Sequence, residues 1–290
     1  MHGGGWRKRK PVELGIQAKR SIIKMSFGVV KTAFALVSCA SILLVFGFPI
    51  CAEIEPGSLV GAWLFDEGDG IVVEDLSGNG NNGELQMNVT WSDEGRFNAA
   101  LEFPGSGESF VLVPHADSLT LNTLTIMAWV KMEMVPDRYP VIVAKFSAAV
   151  RNYGVCINKT SETPYMQFHS GGQYSEYRAS TKITDEKWHH VATTYDGQFV
   201  YFYVDGVKEV ETGFNGELDS SDGPLTIGGG VGTSPAKGLI DEVAIFNQAL
   251  ELDDIVLLKD VGLGAAFGEE GEAVSAADKI ATVWGMIKAQ

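Results

Sequence analysis

From Ser58 to Phe246 the chain alternates short apolar runs with clusters of Gly, Asp, Asn and Pro. The clearest runs are Leu59–Phe65, Phe110–Val113, Leu124–Val130, Val141–Ala144, Tyr153–Ile157, Tyr165–Phe168, Trp188–Tyr195, Phe199–Val204 and Leu239–Phe246. They predict about a dozen short strands, too many for one flat sheet, so the expectation is an all-β antiparallel jelly-roll sandwich of two packed sheets. A hairpin is marked where Val204 meets Asp205-Gly206, a type I′ turn dipeptide, and the chain returns from Val207 to Thr212. Asp196-Gly197 marks a second reversal, which makes a three-stranded meander.

Beyond the strands the period changes. Leu252, Ile255, Val256 and Lys259 follow helical spacing behind Glu251, Asp253 and Asp254, predicting a short helix over 252–259. The main domain is therefore expected over 53–261, followed by a Gly/Glu-rich linker over 262–274. A capping signal at Ser275-Ala-Ala-Asp278 then opens a helical tail over 275–290, with Ala277, Ile280, Ala281, Trp284 and Ile287 on one face. That face either packs on its own domain or docks a partner.

The first 52 residues differ from the rest. A basic stretch from Arg7 to Lys31 precedes 21 uncharged residues, Thr32 to Ala52, ending at Pro49-Ile-Cys-Ala52. The order of basic, apolar and small residues is that of a secretory signal cleaved after Ala52, with Met25 an alternative start. An uncleaved membrane helix and a lipoprotein box at Leu36-Val-Ser-Cys39 are the rival readings. All three export the rest of the chain, so the expected location is secreted or at the cell surface, with the membrane met only through this segment.

Charge narrows the partners. Up to Ala52 there are eight Lys/Arg and one acid, whereas the rest holds 14 basic and 36 acidic residues, a net charge of −22. Such a surface repels phosphates and argues against a nucleic-acid partner. Only Cys156 lies outside the first 52 residues, so the domain has no internal disulfide, and this cysteine reads as a small buried hydrophobe.

Candidate chemistry is sparse. Asp75-Leu-Ser77-Gly-Asn79-Gly80-Asn81 places oxygen-bearing residues at alternate positions with Gly sixth, as in a loop that curls round a hard cation such as calcium. A turn stapled by Asx side chains leaves the same pattern. His189 and His190 are strand neighbours that point to opposite faces, a poor zinc pair. Asp241 interrupts an apolar run, where it is paired, metal-bound, or turned to solvent by alternation. For a ligand that needs flat rings beside polar groups, such as a sugar, the candidates are Tyr139, Tyr174, Tyr177 and Arg178. No nucleophile elbow, phosphate loop or zincin motif is present.

Gly61–Gly68, Asp75–Gly83, Ala100–Gly105, Thr125–Lys131, Trp188–Gly197, Tyr201–Gly206, Leu225–Gly228 and Gly238–Phe246, in that order, resemble the laminin G-like, concanavalin A-like lectin/glucanase superfamily. The resemblance implies the sandwich fold and, often, a structural calcium between the N-terminal segment and a late-strand Asp. That maps onto Asp66, Asp75, Asn79 and Asp241 as metal ligands. The fold serves lectins, adhesion modules, sialidase side domains and hydrolases alike. Against the paired carboxylates of related glucanases, the nearest pattern is Glu217-Leu-Asp219-Ser-Ser-Asp222, followed by Gly223-Pro224 and so placed in a turn. The expectation is a non-catalytic binding module, not an enzyme, whose ligand is a glycan. An extracellular protein is the second choice, and a glucanase-type hydrolase the third.

Overall fold

The computed structural model describes residues 54–55, 57–230 and 234–268, so the expected signal segment, the second part of the linker (269–274) and the helical tail lie outside the described residues. The strands in chain order are β1 (Leu59–Trp63), β2 (Val72–Val73), β3 (Gly83–Leu85), β4 (Thr90–Ser92), β5 (Ala100–Pro104), β6 (Val111–Val113), β7 (Leu124–Glu133) and β8 (Val141–Phe146). They continue as β9 (Arg151–Ile157), β10 (Pro164–Ser170), β11 (Gln173–Arg178), β12 (Trp188–Tyr195), β13 (Phe199–Val204), β14 (Val207–Gly213), β15 (Leu225–Ile227) and β16 (Lys237–Phe246). Two helices follow, α1 (Leu252–Val261) and α2 (Leu263–Phe267). The strands beyond the dozen expected are mostly two or three residues long, too short for alternation to reveal.

The strand pairings among the described residues are antiparallel and form two sheets, as the sequence predicts. The first runs β14-β13-β12-β7-β16-β5-β4 with β1 also on β16, and the second runs β11-β10-β9-β8-β15-β6-β3-β2. Their inner faces share one core that includes Trp63, Phe65, Phe103, Tyr153, Phe168, Tyr195 and Phe202. Burying each such side chain contributes about 1.5–3 kcal/mol, which makes this layer the main source of stability. The predicted hairpin is present: Asp205 and Gly206 both have positive φ, 53° and 80°, as a type I′ turn requires, and Val204 pairs with Val207. At the other reversal, Asp196 Oδ1 accepts from the backbone N–H groups of Gln198 (2.7 Å) and Phe199 (2.6 Å).

Each outer face carries its own apolar patch. On the first sheet, Met127, Ala192, Tyr203 and Phe246 are covered by Ile255, Leu258, Leu263 and Ala266 of the two helices. Two expectations change here. The buried face of α1 is Asp254, Ile255, Leu257 and Leu258, while Leu252, expected on that face, is exposed. Residues 263–267, assigned in sequence to a linker, form α2 because Leu263 and Ala266 find this outer patch to bury against. On the second sheet a smaller cluster of Val141, Ala144, Cys156 and Tyr165, flanked by Phe146, packs against no helix among the described residues. That patch forms the floor of a cleft.

Candidate functional site

The cleft has a volume of about 850 Å³ and lies on the outer face of the second sheet. Strand register explains its lining. Arg178, Tyr165, Cys156 and Val141 are successive cross-strand partners, as are Glu176, Gln167, Gly154, Ala144 and Thr226 in the next row, while His169 faces Tyr174. Alternation sends the intervening residues, Met166 and Phe168 of β10 and Val155 of β9, into the core. Gly154 and Ala144 make the middle row shallow, and Phe146 lies across it. A Cβ at residue 154 would sit 2.6 Å from Phe146 Cζ, so only glycine leaves the ring in place.

Polar groups crowd the rim and walls. Tyr174 Oη donates to Glu176 Oε2 at 2.6 Å, and Arg178 donates to the other oxygen of the same carboxylate. The Arg151 guanidinium lies 5.3 Å from the Tyr174 ring centre and 5.4 Å from that of Phe146, within cation–π range. Arg178 lies 5.9 Å from the centre of Tyr165, and Lys159 sits 5.4 Å from that of Tyr139 at the mouth. Tyr139 and Tyr174 remain 41% and 44% exposed, so both rings are open to a ligand. Burial pushes the Cys156 thiol up to about 12, and Gln167 Nε2 donates to its sulfur, so this cysteine is floor, not nucleophile.

Of the four ligand candidates read from sequence, Tyr139, Tyr174 and Arg178 meet in this cleft. Tyr177 does not. One residue off the phase of its neighbours, it turns to the core and stacks on Phe168 with ring centres 5.8 Å apart. Phe146, Arg151, Gln167, His169 and Glu176 were missed, because they converge only through cross-strand register. Among the described residues the cleft is lined by one carboxylate, Glu176, where a glycosidase uses two. The acids of the glucanase-like pattern lie outside strands: Asp219 accepts from the N–H groups of Gly171 and Gly172, both at 2.8 Å, and Glu217 is exposed.

The proposed metal ligands separate into two groups. Asp75 is saturated by four donors: Ala62 N–H (2.9 Å) and Ser77 N–H (2.9 Å) on Oδ1, and Ser77 Oγ (2.8 Å) and Asn81 N–H (2.9 Å) on Oδ2. Asn79 Nδ2 donates to Leu59 O and Ser77 Oγ at 3.1 and 3.0 Å. The Asx-stapled turn, one of the two readings of this loop, accounts for these residues without an ion.

Asp241 is different. It is fully buried beside a bulge where Glu242 takes φ 53°, so alternation does not turn it to solvent. Its Oδ2 accepts from Arg96 N–H (2.8 Å) and Phe97 N–H (2.9 Å), while Oδ1 is buried and has no partner among the described residues. Burial, reinforced by Glu242 and Asp66, pushes its carboxyl up to about 8. Glu242 is likewise raised to about 7 by burial and accepts from Leu263 N–H. Asp66 accepts from Asn98 Nδ2 (2.9 Å) and Ala99 N–H (3.0 Å). No three His, Cys, Asp or Glu side chains among the described residues are grouped closely enough to hold a metal alone. A cation held at Asp241 therefore needs backbone or water oxygens as well.

The two histidines part as strand neighbours should. His189 is hydrogen-bonded to Asp205 (2.8 Å) and Asp185 (3.0 Å), whereas His190 is buried and lowered to about 3 by desolvation. A second, smaller hollow is lined by His115, Asp117, Thr120, Ser220, Ser221 and Asp222. Beside it, buried Lys145 donates to His115 Nδ1 (2.9 Å) and Gly223 O (2.8 Å), and burial lowers its ammonium to about 8.

Comparison with known proteins places the fold. The family model for the concanavalin A-like lectin/glucanases superfamily matches residues 105–256, slightly more than half of the chain. No curated protein sequence matches it. Among solved structures, domain 4 of AbnA, a GH43 extracellular arabinanase from Geobacillus stearothermophilus in complex with arabinotriose, is 21% identical with a TM-score of 0.58, covering 70% of this chain and 98% of that domain. The binding domain of Paraclostridial Mosquitocidal Protein 1 is 17% identical with a TM-score of 0.56, covering 69% of this chain and 51% of the other. The binding domain of Botulinum neurotoxin DC, in complex with rat synaptotagmin II, is 15% identical with a TM-score of 0.55, covering 70% and 51%. The chain thus spans about half the length of these toxin domains. At these identities the likeness is one of fold; the two toxin structures are of binding domains, and the arabinanase domain holds arabinotriose.

Proposed function

Because the chain belongs to the concanavalin A-like lectin/glucanase superfamily, we propose that it is an exported, non-catalytic module that binds carbohydrate in the cleft on the outer face of the second sheet. The observation that carries this reading is the convergence of open Tyr139 and Tyr174 rings with Gln167, His169, Arg151 and Arg178 over an apolar floor. Sugars present C–H faces that stack on aromatic rings and hydroxyls that take directional hydrogen bonds, and this lining supplies both. The similar arabinanase domain was solved with arabinotriose bound, which supports the glycan reading. Export rests on the basic and apolar N-terminal segment, and among the described residues no helix is long and apolar enough to cross a membrane.

A structural calcium belongs to the same proposal. Asp241 and Asp66 would hold it, with Glu242 at their side, and the ion would neutralise a buried carboxylate oxygen that has no other partner among the described residues. Asp75 and Asn79 are left out, since their polar groups staple the neighbouring loop.

The test is a glycan array followed by titration calorimetry on the full chain. Tyr174→Ala should weaken any neutral oligosaccharide found by about 3–10-fold, the loss of one ring contact. Unchanged affinity in that variant would move the sugar site elsewhere on the molecule.

A further inference from the structure

Resting on the cleft reading above, we infer that the preferred sugar carries a carboxylate, a uronic acid-type residue, held by Arg151. The charges in the cleft differ from those of the molecule around it. The whole chain has a formal net charge of −15, yet the cleft is lined by two guanidiniums and one carboxylate, a surplus of one positive charge with His169 set aside. Glu176 is engaged by Arg178 and by Tyr174 Oη, which neutralises that arginine. Arg151 forms no ion pair among the described residues. Its guanidinium lies over the Phe146 and Tyr174 rings, 5.4 and 5.3 Å from their centres, at the end of β9 where Arg151 pairs with Phe146. Ring contact on the faces of a guanidinium leaves its N–H edge for a ligand, and a planar carboxylate matches that fork with two parallel hydrogen bonds.

The same arithmetic selects against a polyanion. A sulfated or phosphorylated chain needs a row of cations, whereas here one unpaired arginine sits on an acidic protein that repels dense negative charge. One carboxylate per sugar ring, with a C–H face for Tyr174 and hydroxyls for Gln167 and His169, fits both the charge and the lining.

The experiment is calorimetry of the full chain with a galacturonic acid trimer, its methyl ester and a sulfated neutral trimer, each at low and high NaCl. The acid should bind about 10-fold or more tighter than the ester, with the advantage shrinking as salt screens the pair. Arg151→Gln should bring acid and ester to within about twofold of each other, since it removes the charge that distinguishes them. Arg151→Lys, which keeps the charge and loses the fork, should retain a reduced preference, and it decides the matter if the glutamine variant fails to fold. Equal binding of acid and ester by the wild type overturns the charge assignment and leaves the cleft reading standing. A preference for the sulfated trimer overturns the choice of carboxylate. If neutral oligosaccharides bind and none of the uronates does, this inference fails alone; if no sugar of either kind binds, the cleft reading fails with it.

Discussion

Replacing Asp75 by alanine tests whether the Asp75–Gly83 loop is a hydrogen-bonded staple or a metal loop. The carboxylate accepts four hydrogen bonds of 2.8–2.9 Å, and two of the donors, the N–H groups of Ala62 and Asn81, belong to residues that are 0% and 5% exposed. Truncation strands those two donors at about 1–3 kcal/mol each, whereas the Ser77 groups sit in a half-buried turn and can rehydrate at smaller loss. Allowing water to reach one of the buried donors, the net cost is about 3 kcal/mol. For a domain of this size that lowers the melting midpoint by about 6–12 °C. Urea unfolding followed by tryptophan fluorescence gives the free energy, and the same series in chelator separates the two mechanisms. A staple predicts a loss independent of chelator, with Asp75→Asn intermediate because its Oδ1 still serves Ala62 and Ser77. A loss below about 1 kcal/mol, under the usual cost of stranding one buried donor, would refute the staple. A difference that vanishes in chelator would return Asp75 to the metal site.

Three further outcomes follow from the same geometry. Chelator should lower the melting midpoint of the wild type, and Asp241→Asn, which removes the charge an ion would neutralise, should abolish that response; a wild-type midpoint indifferent to both calcium and chelator would end the calcium proposal. Tyr177→Ala should destabilise the fold by about 2–4 kcal/mol in urea through its contacts with Phe168 and Phe214, an effect on stability that Tyr174→Ala should not share. Lys145, lowered to about 8 in the folded state, leaves the unfolded chain holding more protons between that pH and its ordinary value, so stability should rise over that interval as the buried charge is lost. Urea midpoints at pH 7.5 and 10 should show that rise in the wild type and a smaller one in Lys145→Met.

Much of the fold was legible because period-two alternation and turn chemistry are local. The Asp205-Gly206 hairpin, the two-sheet class and the burial of Cys156 all follow from a few adjacent residues. Tyr139, Tyr174 and Arg178 could be named from composition alone, but Tyr177 could not be told from Tyr174 until the phase of β11 against β10 was known.

What the sequence by itself determined was therefore the class of fold, the longer strands and the acidity of the surface, since each depends on neighbours along the chain. Tertiary structure alone decided where function sits. Cross-strand register brought Arg151, Gln167, Glu176 and Arg178 to one face, and the two described helices pack on the other sheet. A bulge between Asp241 and Ala244 broke the alternation and buried a carboxylate that regular pleating allows to be exposed. These outcomes depend on pairings between residues tens of positions apart and on desolvation by elements late in the chain, neither of which is encoded in any local pattern.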